Sequence, residues 1–163
     1  MRTSIRPAAA AAALLVAATG LTGCALFGPG AVRDGGTGEV TAGGQLDAFA
    51  LRVGDCFNDA AGEEFEALEV VPCADPHDNE LFFEFSFPDG PYPTEDEFTA
   101  ATIERCDPAF AEFVGTDYDA SSLDYWWITP TAAGWDEIDD RVVQCAVWDP
   151  AGRVSGSVRQ SGR

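Results

Sequence analysis

The chain has 163 residues, with 28 Asp and Glu against nine Arg, no Lys, and a formal net charge of −19. An acidity this lopsided leaves no basic surface for phosphates, which excludes nucleic acid as a partner. It also sets the domain against an anionic membrane surface; cationic partners, or divalent ions shared with an anionic wall, would suit it, but the favoured reading is that the acidity keeps an exported domain soluble.

Arg2 and Arg6 make a short basic start, an apolar run follows from Ala8 to Ala18, and Leu21-Thr22-Gly23-Cys24 comes next. The run falls short of the roughly 20 apolar residues that span a bilayer. Residues 1–23 therefore read as a cleaved export signal, with an ordinary secretory signal as the rival to a lipoprotein one. The order aliphatic, small, small, Cys resembles a bacterial lipobox. That resemblance implies cleavage before Cys24 and a diacylglyceryl group on its sulfur. Two acyl chains anchor stably where one does not. The expected location is the extracytoplasmic face of the cell membrane, held through the lipid on Cys24.

Residues 24–48 are rich in glycine and show no hydrophobic period, so they read as a lipidated Cys followed by a flexible tether. Residues 49–163 suit one small domain. With Cys24 lipidated, Cys56, Cys73, Cys106 and Cys145 remain, an even number in an exported chain. Four cysteines allow three connectivities. The pairing Cys56–Cys73 and Cys106–Cys145 is favoured, because each bond then joins segments expected to pack together.

Within the domain, Phe49 to Val53 reads as a short strand and Leu68 to Val71 as a second. Asp75-Pro76 then turns the chain past His77, the sole histidine. A run follows with Leu81, Phe83, Phe85 and Phe87 alternating against Glu80, Phe82, Glu84 and Ser86, a half-buried strand by its period of two. Thr94-Glu95-Asp96-Glu97 is a capping box that starts a helix. Phe98, Thr102, Ile103 and Cys106 are expected on its buried face, and Asp107-Pro108 is expected to break it. A second helical piece carries Phe110 and Phe113 and ends at Gly115. Leu123 to Thr129 is a strand, with Leu123, Tyr125 and Trp127 on one face and Trp126 and Ile128 on the other. A loop carries Trp135 and the acidic run Asp136 to Asp140. Arg141 to Trp148 is a strand, and Val154 to Val158 a candidate edge strand. The expected architecture is α+β, an antiparallel sheet with a broken helix packed on one face.

Several pieces together resemble the septum-formation family of actinobacterial envelope proteins. They are Val53-Gly54-Asp55-Cys56-Phe57, Val70-Val71-Pro72-Cys73 with Pro76-His77-Asp78 and Glu80, Cys106 with Phe110 and Val114-Gly115, Pro130 with Trp135, Asp140-Arg141-Val142-Val143-Gln144-Cys145, and Gly156-Ser157. The resemblance covers about residues 50 to 158 and implies an exported or membrane-anchored domain with paired cysteines. It brings no catalytic residues. Ile138-Asp139 departs from it, since the family pattern before the strand is closer to Gly-Asp-Arg.

His77 with Asp78 and Glu80 is open to three readings: a metal site, an acid–base site, or a turn in which His77 is hydrogen-bonded into the strand end. The turn is the favoured one. With the cysteines oxidised, His77 is the only nitrogen ligand at hand, too few for zinc, so no metal and no cofactor is expected. Trp126, Trp127 and Trp135 are candidates for a sugar-stacking or protein-binding surface. The functional expectation is a non-enzymatic, lipid-anchored envelope module that binds an unidentified envelope protein or cell-wall polymer. The alternative is a small wall-active hydrolase using a pair of its many carboxylates.

Overall fold

The structure, a computed structural model, describes residues 30–59 and 67–163. Cys24 and the signal segment lie outside the described residues. In chain order the elements are β1 (Val32–Arg33), β2 (Val40–Ala42), β3 (Gly44–Asp47), β4 (Cys56–Phe57), β5 (Ala67–Val71), β6 (Asn79–Ser86), α1 (Glu95–Val114), β7 (Asp124–Ile128), α2 (Ala132–Glu137) and β8 (Val142–Trp148). β1 and β2 form a two-stranded ribbon, and the other strands form one six-stranded sheet in the order β3-β5-β4-β6-β8-β7. Every pairing within that sheet is antiparallel. The architecture is the expected α+β domain, with a helix against the sheet and two disulfides, Cys56–Cys73 and Cys106–Cys145.

The glycine-rich stretch departs from its reading as a tether, because residues 32–47 are largely strand. Glycine serves close approach there. A Cβ at Gly43 would stand 3.0 Å from the Val70 carbonyl oxygen, so glycine lets the chain lie against β5 without displacing it. Leu46 pairs with Leu68 and joins its cluster. Arg33 grips the buried Asp55 with two guanidinium hydrogen bonds of 2.6 and 2.5 Å, fixing the ribbon to the body of the domain. The strand expected from Phe49 is instead a single 3-10 turn, Ala48–Ala50, in which Asp47 accepts the Phe49 N–H at 2.9 Å.

β6 holds the centre, and a bulge between Leu81 and Phe83 resets its faces. Leu81 packs with Phe57 and Ala146 on the sheet face away from α1, whereas Phe82, Phe83, Phe85 and Phe87 all turn toward α1. Leu81 therefore does not share a face with Phe83, Phe85 and Phe87 as strict alternation predicts. Phe82 meets Phe110 edge-on with ring centroids 5.7 Å apart, the favoured geometry for aromatic pairs.

The capping box at Thr94 forms: its hydroxyl accepts the Glu97 N–H, and the Glu97 carboxylate accepts the Thr94 N–H. α1 then runs 20 residues without a break, with Pro108 inside it. Pro108 removes one N–H from the ladder, but both halves of the helix are held to the sheet. Phe98 and Thr102 are buried before it, Phe110, Phe113 and Val114 after it, and Cys106 is bonded to Cys145 of β8. Ile103, expected on the buried face, is 48% exposed. Gly115 takes the left-handed conformation that ends the helix, at φ 89°. The loop expected around Trp135 is the short helix α2, whose Thr131 hydroxyl accepts the Gly134 N–H. The C-terminal run adds only a bridge, with His77 and Val154 exchanging hydrogen bonds of 2.9 and 3.0 Å.

Candidate functional site

The sheet face away from α1 carries an open groove of about 1020 Å³. Its floor is sheet: Glu84 from β6, Val142 and Gln144 from β8, and the consecutive run Trp126 to Thr129 at β7. Consecutive residues of a strand point to opposite faces, so the groove follows the outer edge of β7 as well as its face. One wall is the turn from Asp47 to Leu51, which Gln144 holds by donating to the Ala48 carbonyl at 3.2 Å. The other is the end of α2 with the turn after it, including Glu137, Ile138 and Asp140. Phe49 and Ile138, on opposite walls, are each 66% exposed.

The groove's charge has one sign. Asp47, Glu84, Glu137 and Asp140 line it, and none of its lining residues is a cation. Most of the arginines are engaged elsewhere, and Arg52, exposed just beyond the Asp47 to Leu51 wall, does not line the groove. Arg33, Arg153 and Arg163 are ion-paired with Asp55, Asp78 and Asp149, and the Arg105 and Arg159 guanidinium groups lie over Phe85 and Phe113. Arg141 sits 3.9 Å over the Trp135 ring.

A smaller cleft of about 450 Å³ lies on the far side of Trp126, lined by Asp59, Asp78, Asp149 and Trp148. Trp126 thus stands between two acidic concavities. Its indole N–H donates to Asn79 at 2.7 Å, and Asn79 donates to Asp59 at 2.7 Å, so the ring is fixed in place. Hydrogen bonding from Arg153 holds the Asp78 carboxyl below its usual range. The Ala151 N–H, and then Arg163, do the same for Asp149.

The candidates from sequence separate in space. Trp126 and Trp127 line the groove, each half-buried. Trp135 is 2% exposed and belongs to the core under α1, with its indole N–H donating to the Gly90 carbonyl. His77 is fully buried and sits at a turn, its Nδ1 2.8 Å from the Asp75 carbonyl. A carbonyl only accepts, so Nδ1 carries the proton. Glu80, also buried, accepts from the Ser157 hydroxyl at 2.6 Å and from the Val158 N–H at 2.8 Å. Burial pushes its carboxyl up, against the pull of those two bonds. That carboxyl is sealed inside the domain and lines neither cleft, so the hydrolase alternative gains no support from it. The groove residues Phe49, Glu84 and Ile138 were missed as site residues by sequence reasoning. One signal for Ile138 was present: it is a lone large apolar residue inside an acidic run.

The class these features define is a small, disulfide-stabilised α+β domain whose open chemistry lies in acidic surface clefts. The chain belongs to the septum-formation family, whose model, described as septum formation, matches residues 53–162. The match begins beyond β3, so the Asp47 to Leu51 wall of the groove is contributed by chain outside the matched span. No curated protein and no solved structure matches the chain. No helix among the described residues is long and apolar enough to cross a membrane.

Proposed function

We propose that the protein is a lipid-anchored, non-enzymatic envelope module that acts in septum formation by holding a cationic, extended segment of another envelope protein in the β7 groove. The observation that carries this reading is the pairing of exposed Phe49 and Ile138 with four carboxylates and no cation in one groove. Apolar side chains supply anchors, and a single-signed rim selects the partner and speeds its encounter. β7 is the edge strand of the sheet among the described residues, and an edge is where an extended segment adds a strand. The same rim repels an anionic wall polymer, which favours a basic protein segment as the occupant. Cys24, behind the lipobox, supplies the membrane anchor.

The test is fluorescence localisation with membrane fractionation in dividing cells. The wild-type chain is expected at septa and in the membrane fraction. Phe49→Asp/Ile138→Asp leaves membrane fractionation intact and loses septal enrichment, and Cys24→Ala loses the membrane fraction. Septal enrichment that survives the groove variant overturns the groove assignment. A Cys24→Ala chain that still fractionates with membranes overturns the lipid anchor. Incubation of the purified domain with peptidoglycan completes the test, and release of soluble fragments would overturn the non-enzymatic reading.

A further inference from the structure

Between β4, β6 and the C-terminal run lies a side-chain cluster that the groove does not use. The Cys56 Sγ, a ring nitrogen of His77 and a carboxylate oxygen of Glu80 all lie within 4.8 Å of one another, and all three side chains are buried. The fold converges them. Cys56 stands opposite Glu80 in the β4–β6 pairing, and the His77–Val154 bridge fixes the turn that delivers the imidazole. His77 Nδ1 is committed to the Asp75 carbonyl, which leaves the Nε2 lone pair outward on the ring. Nε2 is fully buried and makes no hydrogen bond among the described residues. A bare acceptor inside a protein is uncommon and calls for a partner.

In the oxidised protein the Cys56 sulfur is bonded to Cys73 and is not a thiolate, the form that binds metal. A dithiol reductant changes this. It passes two electrons and two protons to the bond, the sulfurs part as two thiols, and the dithiol closes to its own disulfide. A zinc ion entering then displaces both thiol protons to water. The donor set becomes two thiolates, one imidazole and one carboxylate, four ligands of the kinds zinc takes in a tetrahedron.

We propose that Cys56, Cys73, His77 and Glu80 form a zinc site that exists only when the Cys56–Cys73 disulfide is reduced. Around a tetrahedral zinc with bonds of about 2.0–2.3 Å, donors stand about 3.3–3.8 Å apart. The Cys56, His77 and Glu80 donors therefore draw in by up to about 1 Å, and Cys73, once its bond to Cys56 is released, swings away from Cys56 to take the fourth position. Cys73 is only partly buried, which gives the reductant and then the ion a way in, while Cys56 lies fully inside. The Asp75 carbonyl on Nδ1, with Ser157 and Val158 on the Glu80 carboxylate, are the outer partners that orient metal ligands. The site does not depend on the groove and stands or falls separately from it.

The test is anaerobic cobalt titration of the exported chain carrying Cys24→Ala, oxidised and after reduction with dithiothreitol and its removal. Circular dichroism monitors the fold, and zinc is then added to displace the cobalt. The reduced chain is expected to take one cobalt per chain with thiolate-to-cobalt charge-transfer absorption, and the oxidised chain none. Reduced Cys106→Ala/Cys145→Ala keeps the absorption. Reduced His77→Ala and His77→Gln bind more than about 100-fold more weakly, beyond the loss that removal of an outer partner brings. Equal binding by the oxidised chain, no binding by the reduced chain, or undiminished absorption in reduced Cys56→Ser each overturns the proposal. So does a reduced chain whose binding accompanies loss of its fold.

Discussion

Asp139 takes φ 55°, the left-handed region that few side chains enter. That conformation is a backbone cost in the turn before β8, where the Asp140 side chain accepts the Val142 N–H. Asp139→Gly should raise stability by about 1 kcal/mol, the usual size of this strain. The lost contact to Arg141 subtracts little, because the Asp139 side chain is 91% exposed. A urea midpoint unchanged or lowered by the substitution would count against it. Glu80 makes a prediction in pH. Its folded carboxyl binds a proton more tightly than an unfolded one, whose pKa is about 4.3. Its stabilising contribution is full below that value and is lost as pH rises through the higher folded value. Glu80→Gln should remove this falling limb from urea midpoints measured between about pH 4 and pH 8. The amide keeps a carbonyl for Val158 and an N–H for the Ser157 oxygen, so the fold should persist. An identical pH slope in both proteins would dissociate Glu80 from it.

At the scale of elements, α1 shows how far a local rule carries. Its start was legible because a capping box is written in four consecutive residues. Its continuity was not, because what holds the chain helical past Pro108 is burial and a disulfide to a strand far along the sequence. Pro108 is exposed and donates nothing. Pro108→Ala should therefore restore one helical hydrogen bond and leave no cavity. An interior proline costs about 3 kcal/mol, and the gain in unfolded-state freedom returns up to about 1 kcal/mol of that. The variant should be more stable by about 2 kcal/mol in a urea melt. A lowered midpoint would show that Pro108 is already accommodated. The bulge in β6 was hidden for a similar reason. Period two predicts alternation, but Phe82 and Phe83 are both claimed by the α1 core, and the backbone yields one extra residue to satisfy both.

Across the whole molecule, β5, β6, β7 and β8 were legible as apolar runs bounded by turn residues, although alternation assigned the faces of β6 correctly only beyond its bulge. The ribbon and β3 were not, because a glycine-rich stretch shows no period, and the close approach of Gly43 to β5 appears only once the strands are paired. The groove was hidden for the same reason, since Ala48 and Gln144 meet across 96 residues of sequence. The disulfides could be paired because each joins elements that pack. Cys106–Cys145 closes 39 residues and ties α1 to the sheet. Replacing both cysteines with alanine should cost about 2–5 kcal/mol. Calorimetry under non-reducing conditions measures it, and a melting temperature equal to the wild type would mean that packing alone holds the helix.

β8 is the last described strand in the sequence, yet it lies between β6 and β7, inside the sheet. A ribosome makes the chain from the other end. During synthesis β7 has no strand to pair with, and α1 has no Cys145 to bond, until residues 142–148 emerge. The two edges of this gap cannot close early around a partial chain. The order of residues thus acts as a clock that delays the final fold until synthesis is nearly complete. A chain delayed in this way presents an unfolded polypeptide to whatever machinery handles it first.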